Sequence, residues 1–204
     1  MKSKLYTIGH SNHTITAFVA LLRRHKIAAL ADVRSHPYSR YVPQYSQSQL
    51  KAALAAAGIA YVFLGKELGA RSDNPECYRE GKVQYDCLAQ EPGFAEGIQR
   101  VKEGMLRYRI ALMCAEKDPL DCHRALLVAR HLFKAGIPIM HIHADGSLES
   151  HEAMESRLLE TCHLPEGDLF TAREEFLAEA YLIQCERVAY QDETMDQLEK
   201  AAVA

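Results

Sequence analysis

Between Cys114 and Arg124 the chain reads CAEKDPLDCHR, so two thiols, a carboxylate at Glu116, an imidazole at His123 and a guanidinium at Arg124 fall within one short segment. Each has an ordinary use: Cys114 can fill a core, Asp121 can cap a helix, and Arg124 can sit in solvent. Their conjunction points to chemistry instead. A carboxylate or imidazole moves protons, a guanidinium binds anions, and thiols act as nucleophiles or metal ligands.

The elements around this segment can position such groups. Residues 110–113 form an apolar run and ALLVARHLF continues after Arg124, which predicts a buried strand, a loop and a helix N-terminus. In open α/β sheets ligands bind at that junction. Residues 5–8 predict another strand, ended by Gly9 and His10, with Ser11 or Asn12 capping a helix through Lys26. Residues 27–33 predict a third, carrying Asp32 and Arg34 at its end, and residues 59–64 and 137–143 predict two more. The expected fold is a three-layer α/β domain: an open, mostly parallel sheet of about five strands, helices on both faces, and C-terminal helices. Carboxyl ends of parallel strands share one edge, so His10, Asp32, Arg34, Cys114 and Glu116 are expected at one crevice.

Three other stretches bear on function. Residues 35–47, SHPYSRYVPQYSQ, predict a loop whose Tyr38, Tyr41 and Tyr45 beside Arg34 and Arg40 either stack a base or pack on their own domain; the second use is the commoner. Residues 65–92 are a long irregular excursion without a nucleotide-binding glycine motif, read as a lid carrying Lys66 and Arg71. Its Cys77 and Cys87 stand ten apart, an unhelpful spacing for a metal. His141 and His143 alternate on one strand, a pattern more often polar decoration at a sheet end than a ligand pair. Residues 147–161 and 173–190 predict acidic amphipathic helices that cover the sheet. Residues 1–162 are therefore assigned to one α/β domain, and 163–204 to a helical extension packed on it or on a partner subunit in a homodimer.

The 204 residues are 48% hydrophobic, enough for one full core, and the net charge of −3 conceals an uneven distribution. Residues 1–51 carry eight Lys and Arg against Asp32 alone, whereas residues 145–204 carry four against fifteen acids. The basic part suits an anionic ligand and the acidic part disfavours nucleic acid. Six cysteines without paired CxxC spacing, and no apolar leader, predict a reduced, cytoplasmic protein with Cys114 and Cys122 unbridged. No apolar run approaches the length of a membrane span.

The motifs TIGHSNHT, LADVRSHPYSRYVPQYS, AGIAYVFLGKELGA, MCAEKDPLDCHR and HIHADGSLESHE together resemble the bacterial family called domain of unknown function 488, over roughly residues 4–160. That resemblance implies family positions at Gly9, His10, Asp32, Arg34, Pro37, Arg40, Cys114, Glu116, Cys122, His123 and Arg124. A fainter likeness, ALADVR to the Asp-Val-Arg strand end of rhodaneses, fails at the cysteine. The acids following Cys114 would raise its pKa rather than lower it.

Three functions compete. In the first, adopted from the sequence, the protein is an enzyme, a hydrolase or transferase, acting on a phosphate-bearing small molecule, nucleotide or nucleic-acid component. Arg34, Arg40 and Arg124 bind the anion with Cys122 and His123 at the helix N-terminus; Glu116 or His10 moves the proton, Asp32 orients, and Cys114 completes the catalytic group. No cofactor is required, although a bound metal ion stays open. The second function is a metal-dependent enzyme using His10 with Cys114, Cys122 and His123; against it, adjacent residues such as Cys122 and His123 rarely reach one ion. The third is a non-catalytic nucleotide-binding module.

Overall fold

A computed structural model describes residues 4–196. The first strand, β1 (Leu5–Gly9), leads to α1 (Ile15–Arg24), which Thr14 caps by accepting from the Ala17 amide at 3.2 Å. The cap is thus neither Ser11 nor Asn12: Ser11 adopts φ +46°, which turns the chain before the helix begins. Next come β2 (Ala29–Asp32), α2 (Gln47–Ala56), β3 (Ala60–Phe63) and the single turn α3 (Gly65–Leu68). The excursion contains a small hairpin, β4 (Tyr78–Arg79) with β5 (Lys82–Val83), and a short helix α4 (Tyr85–Leu88). Helix α5 (Pro92–Met105) precedes β6 (Ile110–Cys114); a 3-10 turn (Pro119–Asp121) and a π-helical segment (Arg124–Ala129) then run into α6 (Arg130–Lys134). The chain continues through β7 (Ile139–Ile142), β8 (Leu148–Ser150), α7 (His151–Thr161) and α8 (Arg173–Val188).

The main sheet has the order β3-β2-β6-β1-β7-β8, its first five strands parallel and β8 antiparallel to β7. The three-layer α/β expectation holds with six strands rather than five. The extra one arises because LES, read as the first turn of a helix, pairs with Ile142, His141 and Met140 before Ser150 caps α7.

Strand alternation divides the core in two. Tyr6, Ile8, Leu30, Ala111 and Met113 pack with Phe18 of α1 and Leu50 and Leu54 of α2. Leu5, Ala31, Leu112 and Cys114 face the opposite layer, with Leu126, Leu132, Leu158 and Tyr181. Helix α8 buries Leu177, Ala180 and Tyr181 in that layer, and Gln184 Nε2 donates to the Leu120 carbonyl at 2.9 Å, so α8 packs on the domain. Among the described residues no helix is long and apolar enough to cross a membrane.

A disulfide joins Cys77 to Cys87 across the excursion, while Cys114, Cys122, Cys162 and Cys185 are free. The expectation of an entirely reduced chain is corrected at this pair. The hairpin between them folds the two ends of the loop together, bringing the Cα atoms to 5.2 Å.

Candidate functional site

The site is built where β6 ends. Cys114 is its last residue and points into the helical layer that holds α6 and α8. The chain then crosses the end of β1, where the His10 and Ser11 amides donate to the Cys114 and Ala115 carbonyls at 2.9 and 2.8 Å. Gly9 makes this crossing feasible: a Cβ there would lie 1.8 Å from the Glu116 carbonyl oxygen. Arg124, wholly buried, holds the same loop from below, donating from Nη1 to the Glu116 carbonyl (2.8 Å) and from Nη2 to that of Lys117 (3.2 Å). Asp118 caps the next turn by accepting from the Leu120 amide and is gripped by both Nη atoms of Arg157 at 2.9 and 3.0 Å.

Adjacent Cys122 and His123 do converge. Cys122 is extended (φ −143°, ψ 133°) and His123 already helical (φ −57°, ψ −26°), and this change of conformation turns both side chains toward Cys114. The His123 Nε2–H donates to the Val33 carbonyl at 2.9 Å, so in the neutral ring the Nδ1 lone pair faces the sulfurs, 3.7 Å from Cys114 Sγ and 3.9 Å from Cys122 Sγ. All three donor atoms lie within 4.8 Å of one another. Cys122 Sγ is also hydrogen-bonded to a Glu116 carboxylate oxygen at 2.9 Å.

The electrostatics separate the two thiols. Burial and the neighbouring Cys122 push Cys114 well above the usual thiol range. Burial works the same way on Cys122, but the Cys114 hydrogen bond, the Arg124 charge and His123 outweigh it and hold Cys122 well below. For His123, burial is outweighed by its interaction with Cys122 and the pKa is raised. Burial and then the Cys122 charge raise Glu116.

A cavity of about 290 Å³ opens beside this cluster, and Cys114, Glu116, Asp121, His123 and Arg34 line it. Arg34 and Glu116 therefore share one sheet edge, as expected. The other nominated residues serve different ends. Arg34 is saturated within the chain, forking onto Asp32 at 2.9 and 2.7 Å and donating to the Tyr45 carbonyl at 2.9 Å, while Tyr61 donates to the same carboxylate. His10 donates from Nδ1 to the Ser11 carbonyl and accepts from Arg34 at Nε2, 3.2 Å away; it stacks on Tyr45, with ring centroids 4.0 Å apart. Burial, with Arg34 nearby, lowers its pKa to about 4. Neither nitrogen faces the Cys114, Cys122 and His123 cluster, so the assignment of His10 to a metal set with those residues is corrected. Arg40 is exposed outside the cavity lining, and Arg124 is spent beneath the loop. His141 hydrogen bonds to Thr7 and His151 in the core, while His143 pairs with Glu149.

Sequence reasoning missed the outer wall, to which Tyr85 of α4, Val188 at the end of α8 and Tyr190 just beyond it contribute. The long excursion signalled a lid, and Arg71 does line the cavity; the contribution from α8 carried no local signal.

The family model for Domain of unknown function DUF488 matches residues 14–131, and the chain belongs to that family. No curated protein and no solved structure matches the chain.

Proposed function

We propose that this protein is a metal-dependent enzyme of hydrolytic type, its ion held by Cys114, Cys122 and His123 and its substrate admitted through the adjoining cavity. The observation that carries this reading is the placement of two sulfurs and one imidazole nitrogen within 4.8 Å, with the other ring nitrogen bonded to a backbone carbonyl. A tetrahedral zinc ion with Zn–S of about 2.3 Å and Zn–N of about 2.0 Å sets S···N edges near ~3.6 Å. The distances of 3.7 and 3.9 Å are close to that figure. Two thiolates and a neutral imidazole form a borderline-soft donor set suited to zinc, and three protein ligands leave a position for water. Such an ion supplies an activated water and a Lewis acid. Glu116, whose carboxylate lies 2.9 Å from Cys122 Sγ beside the cluster, would take up a proton there and return it to the leaving group.

Two observations weigh against the other readings. The lowered Cys122 pKa favours a thiolate nucleophile, yet the thiol lining the cavity is Cys114, whose pKa is raised. An anion site built from Arg34, Arg40 and Arg124 lacks support, because Arg34 is paired with Asp32, Arg124 is wholly buried outside the cavity lining and Arg40 also stands outside it.

Protein purified without chelator should carry about one equivalent of zinc by elemental analysis. Its cobalt-substituted form should show intense sulfur-to-metal charge-transfer absorption that weakens in Cys114→Ser, which leaves Cys122 as the one sulfur ligand, and disappears when both cysteines are replaced. A folded protein that takes up neither metal overturns the reading.

A further inference from the structure

The mouth of the cavity carries a cation that the chain itself does not use. Arg71, in the segment between α3 and β4, is exposed and lines the cavity, and its guanidinium carbon sits 3.8 Å from the centroid of the Tyr190 ring. Among the described residues that guanidinium has no hydrogen bond and no ion pair. The contrast with the other arginines around the site is sharp: Arg34, Arg124 and Arg157 all donate to carboxylates or carbonyls. Stacking on a ring occupies the flat face of a guanidinium and fixes its plane, leaving the N–H groups along its edge directed outward as a fork that matches a carboxylate or phosphate. The acids Glu116 and Asp121 line the same cavity, so an anion is attracted at Arg71 and repelled by the carboxylates. That polarity fixes the direction in which a ligand enters. With about 290 Å³ available, the space lies at the small end of ligand pockets, which run from roughly 300 Å³ upward.

We infer that Arg71 is the substrate-recognition residue of this site, and that the substrate is a small molecule with a carboxylate or phosphate group at one end and an uncharged hydrolysable group at the other. The anion is gripped at the rim by the Arg71 fork on its Tyr190 platform, and the uncharged end reaches Cys114, His123 and Glu116. The inference rests on the proposed metal centre for what happens at that second end, while the binding of the anion is independent of it.

The test is calorimetric titration of the full chain with inorganic phosphate and, separately, with acetate at low ionic strength, with elemental analysis of the same samples. The wild type should bind at least one of the two anions. Arg71→Gln should weaken that binding tenfold or more, and Arg71→Lys, which keeps the charge but loses the fork and much of the stack, should fall between. Metal content and the melting temperature should not change in either variant, since Arg71 is exposed. Binding undiminished in Arg71→Gln overturns the inference, as it would if phosphate simply ligated the ion; so does a wild type that binds neither anion. Arg71-dependent binding in samples without metal would keep the inference and remove the metal centre alone.

Discussion

The sequence places Glu116 in one crevice with Arg34, yet its carboxylate meets Cys122 and, among the described residues, no arginine; Arg124 binds its main-chain carbonyl instead. Replacing the carboxylate therefore strands no buried cation. Glu116→Gln should shift the urea-melt stability by no more than about 1 kcal/mol, keep the metal and abolish turnover. A loss on the order of 3 kcal/mol, the cost of breaking a buried ion pair, would mark Glu116 as a scaffold residue. Cys114, Glu116 and His123 were legible because a strand end and a helix start announce themselves in a short stretch. The roles of Arg34 and Arg124 were not, because residue type cannot tell a guanidinium facing a ligand from one consumed by Asp32 or by two backbone carbonyls. That distinction depends on which atoms of distant segments arrive beside it.

The crossing of the β6–helix loop over the end of β1 is the joint on which the site depends. Gly9→Ala would drive a Cβ into the Glu116 carbonyl, and the main chain must move to relieve it. We expect a cost of about 3 kcal/mol or more together with loss of bound metal. Gly93→Ala in α5, where an added Cβ meets nothing within 4 Å, serves as the control and should be neutral or slightly stabilising. Denaturant melts and metal analysis on the two variants check this. The five parallel strands were legible as apolar runs: β1, β2 and β6 are buried along their whole length, and the edge strand β3, half-exposed, still shows as the run IAYVFL. The edge strand β8 was not: its three residues precede HEAMESRLLET, whose helical pattern extends back over them. The hairpin of β4 and β5 gives each strand two residues, too few for any period.

For the whole molecule, buried neutral histidines set the acid limb of stability. Burial lowers His10 to about 4 and His151 to about 3, and lowers His141 as well, from an ordinary value of 6.5. Between those values the unfolded chain binds more protons than the folded one, so stability present above 6.5 is lost as the pH falls. His10 alone accounts for up to about 3 kcal/mol of this loss. In the metal-free chain the raised His123 and Glu116 act with the opposite sign, losing stability as the pH rises through their folded values. Urea midpoints measured at pH 7 and pH 4.5 should show the lower stability at the acid value. The strand order carries a further consequence, for assembly. Tyr6 of β1 lies in register with Ala111 on one side and Met140 on the other, so this inner strand of the sheet has both neighbours more than a hundred residues downstream. At about 5–20 residues per second of synthesis, the nascent LYTIG segment waits several seconds to tens of seconds before either edge is covered. Over that interval an apolar strand with two open edges is a ready substrate for holding chaperones, and for self-association wherever they are scarce.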